Sequence, residues 1–257
     1  MKKYVIIMMA LSCGLFFSAC NDWLEPKIEN EITADKMYQS GDGYRAVLNG
    51  LYKAMGKPSL YGRELSFGFL DCLSQQYRLD EKTIPTYCSA AGFQYRDNDV
   101  KGIVDGIWLA AYNVIASAND LIQHGESASV DMFENGKEER DMIVGEAYAC
   151  RALMHFEMLR LFAPAPTEEE LAKKINVPYV ENFPNVQPEA NLTMKEFLQK
   201  CVKDLEKGQQ LVAATDTIQE GISRISSVDE RFYSSEGSLY SGRGYHLNYY
   251  AINALLA

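Results

Sequence analysis

The chain has 257 residues, 47% of them hydrophobic and 23% charged, the composition of a folded globular protein with one large domain or two small ones. Lys and Arg number 25 against 35 Asp and Glu, a formal charge of −10. Binding a phosphate backbone needs a basic surface that releases counterions, so nucleic acid is excluded as a general partner. An acidic surface suits a neutral ligand such as a sugar or a peptide and leaves the fold open.

The amino terminus reads as an address. Met1-Lys2-Lys3 is followed by an uncharged run from Tyr4 to Phe17, then by Ser18-Ala19-Cys20 and the polar Asn21-Asp22. A basic start, a short apolar run and small residues before a break form a secretory signal, here residues 1–19. The run is shorter than the roughly 20 residues a spanning helix needs, so it reads as cleaved. Phe17-Ser18-Ala19-Cys20 resembles a bacterial lipobox, with Phe17 where Leu is usual, and Cys20 is the expected lipidation site. Several acyl chains on one Cys anchor stably, since each buried CH₂ contributes about 0.8 kcal/mol. Cleavage also removes Lys2, Lys3 and Cys13. The remaining cysteines, Cys72, Cys88, Cys150 and Cys201, are too sparse for a disulfide scaffold and read as mostly buried thiols.

After a Pro-containing lead, Tyr44, Val47, Leu48, Leu51, Tyr52 and Met55 repeat with the period of one helix face, stopped by Gly56 and Pro58. A second helix carries Val104, Ile107, Trp108, Ala111, Tyr112, Ile115, Leu121 and Ile122, with Trp108 on its buried stripe. A third carries Ile143, Ala147, Cys150, Met154, Met158 and Leu161, and ends before Pro164 and Pro166. Thr193 and Glu196 form a capping box that opens a fourth, whose face is Met194, Phe197, Leu198, Cys201, Val202 and Leu205. No long run alternates with period two, so the expected fold is all-α. Three stretches read as long and irregular: Lys57 to Lys101, Ala163 to Asn191, and Ala213 to Gly244. The last segment, Asn248 to Ala257, starts as an apolar helix and stops uncapped, which reads as a longer protein cut within a helix.

Several of these pieces, in this order, resemble the SusD/RagB family of outer-membrane nutrient-binding lipoproteins. They are the lead Cys20-Asn21-Asp22-Trp23-Leu24-Glu25-Pro26; AVLNGLYKAM from Ala46 to Met55; IWLAAYNVIASANDLI with Trp108, Tyr112, Ile115 and Asn119; and GEAYACRALMHFEMLRLFAPAP with Glu146, Arg151, Ala152, Phe156 and Pro166. FLQKCVKDLEKGQQLV and the terminal NYYAINALLA follow. Ala163 stands at the turn where the family usually has Gly. The resemblance covers nearly all of residues 20–257, which would be the amino-terminal half of the whole. It implies a tetratricopeptide-like helical repeat fold with irregular insertions, and a non-enzymatic protein on a Bacteroidetes-type outer membrane. Such a protein would capture glycan or peptide as the lid of a SusC-type TonB-dependent transporter. A helical scaffold lipoprotein binding protein partners is the alternative.

Other chemistry is weak. His124, His155 and His246 have no metal spacing to one another or to a Cys pair. The run from Asp97 to Gly102 begins like a calcium loop, yet Lys101 takes its fifth position and Trp108 its twelfth, which excludes the hand-type site and leaves an irregular one open. Glu168-Glu169-Glu170 after Thr167 reads as a solvated helix start. No nucleophile elbow or phosphate loop occurs, and nothing calls for a cofactor. Aromatics are the informative signal: the stretch from Lys57 to Lys101 holds seven Tyr and Phe. Sugar rings stack their C–H faces on such planes. With Phe67 and Phe69 read as anchors to the core, Tyr61, Tyr77, Tyr87, Phe93 and Tyr95 are the candidate ligand platforms.

Overall fold

The computed structural model describes residues 34–216 and 242–257. The signal, the lipobox with Cys20 and the acidic lead lie outside the described residues, as do residues 217–241 of the third irregular stretch. From Met37 onward the chain forms one unit. Its helices are α1 (Gly41–Met55), α2 (Phe69–Leu73), α3 (Pro85–Ala91), α4 (Asn98–Ser127), α5 (Gly136–Phe162), α6 (Glu168–Leu171), α7 (Met194–Asp216) and α8 (Tyr249–Leu256). Among the described residues no strand forms, and one isolated bridge pairs Lys174 with Thr193.

The four expected long helices are present. α1 stops at Gly56, whose N–H donates to the Tyr52 carbonyl at 2.9 Å. The reciprocal bonds of the capping box open α7: Thr193 N–H donates to Glu196 Oε2 at 2.8 Å, and Glu196 N–H to Thr193 Oγ1 at 3.2 Å. Asp97, read above as part of a calcium-like run, is the N-cap of α4, accepting from the Asp99 and Val100 amides. Thr167 caps α6 in the same way, and Glu169 and Glu170 in its first turn meet Lys173. At the end of α5, Ala163 is extended, with φ −109°, so the turn there asks for no left-handed residue.

Four expectations are corrected. The stretch from Lys57 to Lys101 is not wholly irregular, because it folds into α2 and α3. Phe67 is 60% exposed and anchors nothing, whereas Phe69 two residues on is buried. Val202 is 42% exposed, at the edge of the α7 stripe. Trp108 is half-buried, closed on one side by Tyr112 and edge-on by Phe162, with ring centroids 4.8 and 4.9 Å away.

α5 is the post of the molecule. Apolar residues surround it on most sides, as befits a helix packed against α1, α4 and α7 at once. It also carries buried polar residues, several of which hold a neighbouring segment. Glu139 takes Arg45 of α1 at 2.5 Å. Glu146 takes the Tyr52 hydroxyl of α1 and the Arg243 guanidinium, which is itself fully buried. Arg151 forms a fork on Asp204 of α7, both bonds 2.6 Å, and gives a third to Asn119 of α4 at 2.9 Å. Glu157 accepts from Tyr61 in the segment after α1. A buried charge costs several kcal/mol unless paired and hydrogen-bonded, so these residues tolerate the centre of the fold only with their partners in place.

The same logic fixes the segment between α6 and α7. His155 receives the Val180 N–H at Nε2 (2.9 Å), so Nδ1 carries the hydrogen and donates to the Arg151 carbonyl (2.9 Å). Tyr179 stacks on the imidazole at 3.8 Å and gives its hydroxyl to Asp204. From α4, Tyr112 donates to the Pro178 carbonyl and Asn119 to that of Val180. The motif residues Tyr112, Asn119 and Arg151 therefore serve to clamp one loop between three helices.

Candidate functional site

The segment from α1 to α4 turns on Glu64. This carboxylate is 2% exposed and accepts from the Phe69 N–H (3.1 Å), the Arg63 Nε (2.7 Å) and the Tyr87 hydroxyl (3.1 and 3.3 Å). One residue thereby caps α2, orients an arginine and ties α3 to the loop before α2. Gly68 makes this approach feasible: a Cβ there would lie 2.7 Å from the Arg63 carbonyl oxygen and 2.8 Å from Glu64 Oε2.

Beside this junction runs a groove of about 400 Å³, lined by Phe67, Tyr77, Ile84 and Tyr87 together with Arg63 and Arg78. Tyr77 donates to Asp71 Oδ2 at 2.9 Å, as Tyr87 does to Glu64. Burial, then the Glu64 carboxylate, pushes the Tyr87 phenol up, and the Asp71 bond does the same for Tyr77. Both rings are held neutral and fixed in orientation by their hydroxyls, with Phe67 (60% exposed), Tyr77 (44%) and Ile84 (37%) facing solvent. Rigid aromatic planes beside hydrogen-bonding groups are what a stacked sugar or another flat polar ligand requires.

The five sequence candidates thus separate. Tyr77 and Tyr87 share the groove. Phe93 and Tyr95 form an exposed pair, 6.4 Å between centroids, and Tyr95 lines a different hollow of about 360 Å³ with Phe69, Leu73 and Phe162 over α4. Tyr61 is packed against the core and hydrogen-bonded to Glu157 at 3.1 Å, and it lines neither of these openings. Phe67, expected as an anchor to the core, and Ile84, Arg63 and Arg78 carry no local signal for this groove. They lie outside any periodic stretch, so which of two nearby phenylalanines faces water is decided by the entry into α2 and not by local pattern. The four cysteines among the described residues are free thiols; Cys72, Cys150 and Cys201 are buried, and burial pushes Cys201 up to about 12.

A family model described as starch-binding and associating with the outer membrane, SusD-like_3, matches residues 73–227, more than half of the chain. The chain belongs to the SusD-like family. A SusD-like protein P2 of Formosa agariphila is 26% identical over 166 residues, 65% of this chain and 31% of that protein. The chain thus spans about a third of the length of the relative it matches. The SusD-like match begins at Leu73, beside the groove, and takes in α3, α4, α5 and the clamped loop.

Proposed function

We propose that this SusD-like chain belongs to a surface lipoprotein that captures polysaccharide and passes it to a SusC-type TonB-dependent transporter of the outer membrane. The aromatic groove carries the reading, since Tyr77 and Tyr87 are pre-oriented planes beside the exposed Phe67 in a member of a family described as starch-binding. Residues 1–19 act as the signal and Cys20 bears the lipid, in keeping with the lipobox. The role is binding without chemistry on the ligand.

The test is a series of single Ala variants at Tyr61, Tyr77, Tyr87, Phe93 and Tyr95, scored by thermal melt and by binding to a panel of polysaccharides and peptides. Tyr77→Ala and Tyr87→Ala should bind less well. Tyr61→Ala, whose hydroxyl is bonded to Glu157, should chiefly lower the melt. If every variant melts lower and none binds worse, the groove is not the site. Cys20→Ala should move the protein from the detergent phase to the aqueous phase, and a SusC-type barrel should co-purify with the wild type in mild detergent.

A scaffold that binds protein partners is the second reading. Its support is the apolar edge of α7, where Leu171, Leu198 and exposed Val202 line an open depression. Loss of a protein partner, but not of polysaccharide, on Val202→Glu would favour it.

A further inference from the structure

We propose that the aromatic groove selects an anionic polysaccharide, one whose sugar rings carry carboxylates or sulfate esters. This rests on the reading that the groove takes a glycan and adds the class of glycan.

The whole chain carries −10, yet the charges that line the groove are the guanidiniums of Arg63 and Arg78, with no carboxylate among them. Arg78 is exposed and has no ion pair or hydrogen bond among the described residues. Arg63 is half exposed and meets Glu64 through Nε. Of the nearby carboxylates, Glu64 is buried under Arg63, Tyr87 and the Phe69 amide, Asp71 takes the Tyr77 hydroxyl, Asp80 takes the Thr83 hydroxyl and the Lys82 amide, and Glu81 is exposed. None of these four lines the groove.

The chemistry that follows is directional. A neutral sugar hydroxyl both donates and accepts, so sites for neutral glycans mix carboxylates or amides with their donors. Here the charged groups only donate, and both tyrosine hydroxyls already spend their hydrogen on carboxylates behind them. A ligand group that only accepts, spread over two or three oxygens, is the complement of a guanidinium fork. Phe67, Tyr77 and Tyr87 supply the ring planes at the same place. At physiological salt the screening length is about 8 Å, so the acidic surface beyond that distance bears only weakly on the groove. It does discourage indiscriminate binding of polyanions elsewhere.

The experiment measures affinity of the mature protein, by calorimetry at low and moderate salt, for four probes: soluble starch, dextran, dextran sulfate and polygalacturonate. Arg78→Gln and Arg78→Lys are compared with the wild type, with thermal melts alongside; Arg78 has no partner among the described residues, so the melts should coincide. The expected result is binding of polygalacturonate or dextran sulfate about tenfold tighter than of the neutral pair. That preference should weaken with salt, fall about tenfold in Arg78→Gln and be partly kept in Arg78→Lys. Which polyanion binds tells carboxylate from sulfate. If starch or dextran binds as tightly and Arg78→Gln changes nothing, the anionic selection is wrong and the glycan reading stands. If a polyanion binds but Arg78→Gln leaves it unchanged, the groove is not where the charge is read. If none of the four binds, both readings fall together.

Discussion

His155 is fully buried, with both ring nitrogens engaged, and its imidazole is neutral because burial, seconded by the nearby charges of Arg151 and Lys200, lowers it to about 3. In the unfolded chain a histidine binds its proton near pH 6.5. Between pH 6.5 and 3 the unfolded state therefore holds one more proton than the folded state, and stability falls with falling pH at ~1.4 kcal/mol per unit. Glu146 acts in the same direction at lower pH. Burial alone would raise its carboxyl, but Arg243, His246 and Tyr52 hold it down to about 2, so its contribution is present above the ordinary carboxylate range and is lost on acidification through that range. Urea unfolding at pH 7 and pH 5 should show a loss of roughly 2 kcal/mol, and His155→Phe should flatten that slope while lowering stability at pH 7, because the Val180 N–H loses its acceptor. Equal midpoints for the wild type at the two pH values would refute this account. Arg151→Met leaves Asp204 buried with the Tyr179 hydroxyl but no cation, and should cost about 3–5 kcal/mol in the same assay. At this scale the sequence marked Tyr112, Asn119, Glu146 and Arg151 as motif residues. It could not say what they touch, because their partners lie 53 residues away for Asp204 and 97 for Arg243.

α5 and α7 approach closely through two glycines, Gly145 and Gly208. A Cβ on Gly145 would lie 2.8 Å from Leu211 Cβ, 2.8 Å from Val212 Cγ1 and 2.9 Å from the Gly208 carbonyl oxygen, and one on Gly208 would lie 2.7 Å from the Gly145 oxygen. Intrinsic propensity favours Ala over Gly inside a helix by about 1 kcal/mol. Backbone cannot step aside as a side chain can, so overpacking of about 1–3 kcal/mol should win at Gly145. Gly145→Ala should lower the melt while Gly102→Ala on α4, where nothing lies within 4 Å, should raise it. A Gly145→Ala protein that melts higher would mean that the helices are not in close contact there. Thr193→Ala should cost about 1 kcal/mol through loss of the capping box, visible as a lower melting temperature. The long helices and this cap were legible from period and end signals. α2 and α3 were not: helices of five and seven residues give too few turns for a period to register, and α2 owes its first turn to Glu64, a residue outside it.

Across the whole molecule, Arg243 joins the part after residue 241 to the helical body. It bonds Glu146 of α5 and Asp216 at the end of α7, and its carbonyl accepts from Asn248, the N-cap of α8. Leu247 donates to the Tyr52 hydroxyl and Tyr249 to Asp216. Removing the guanidinium leaves two buried carboxylates facing one another, so Arg243→Met should cost about 3–5 kcal/mol on chemical unfolding and Arg243→Lys should recover part of it, keeping the charge but losing the fork. No change in the unfolding midpoint for Arg243→Met would show that this segment contributes nothing to the body.

The sequence by itself determined the class of this protein. Apolar residues at helical spacing and capping residues are local signals, and each is read within a few turns of chain. The order of its motifs likewise pointed to the SusD-like family. Tertiary structure decided which polar residues are buried and with whom, which face of the stretch between α1 and α4 meets solvent, and hence that Phe67, Tyr77 and Tyr87 share a groove with two arginines while Tyr61 does not. The reason is physical. A side chain's exposure outside a periodic element, and the partner that makes a buried charge tolerable, depend on groups brought near by the fold from tens of residues away, and no local pattern encodes that distance.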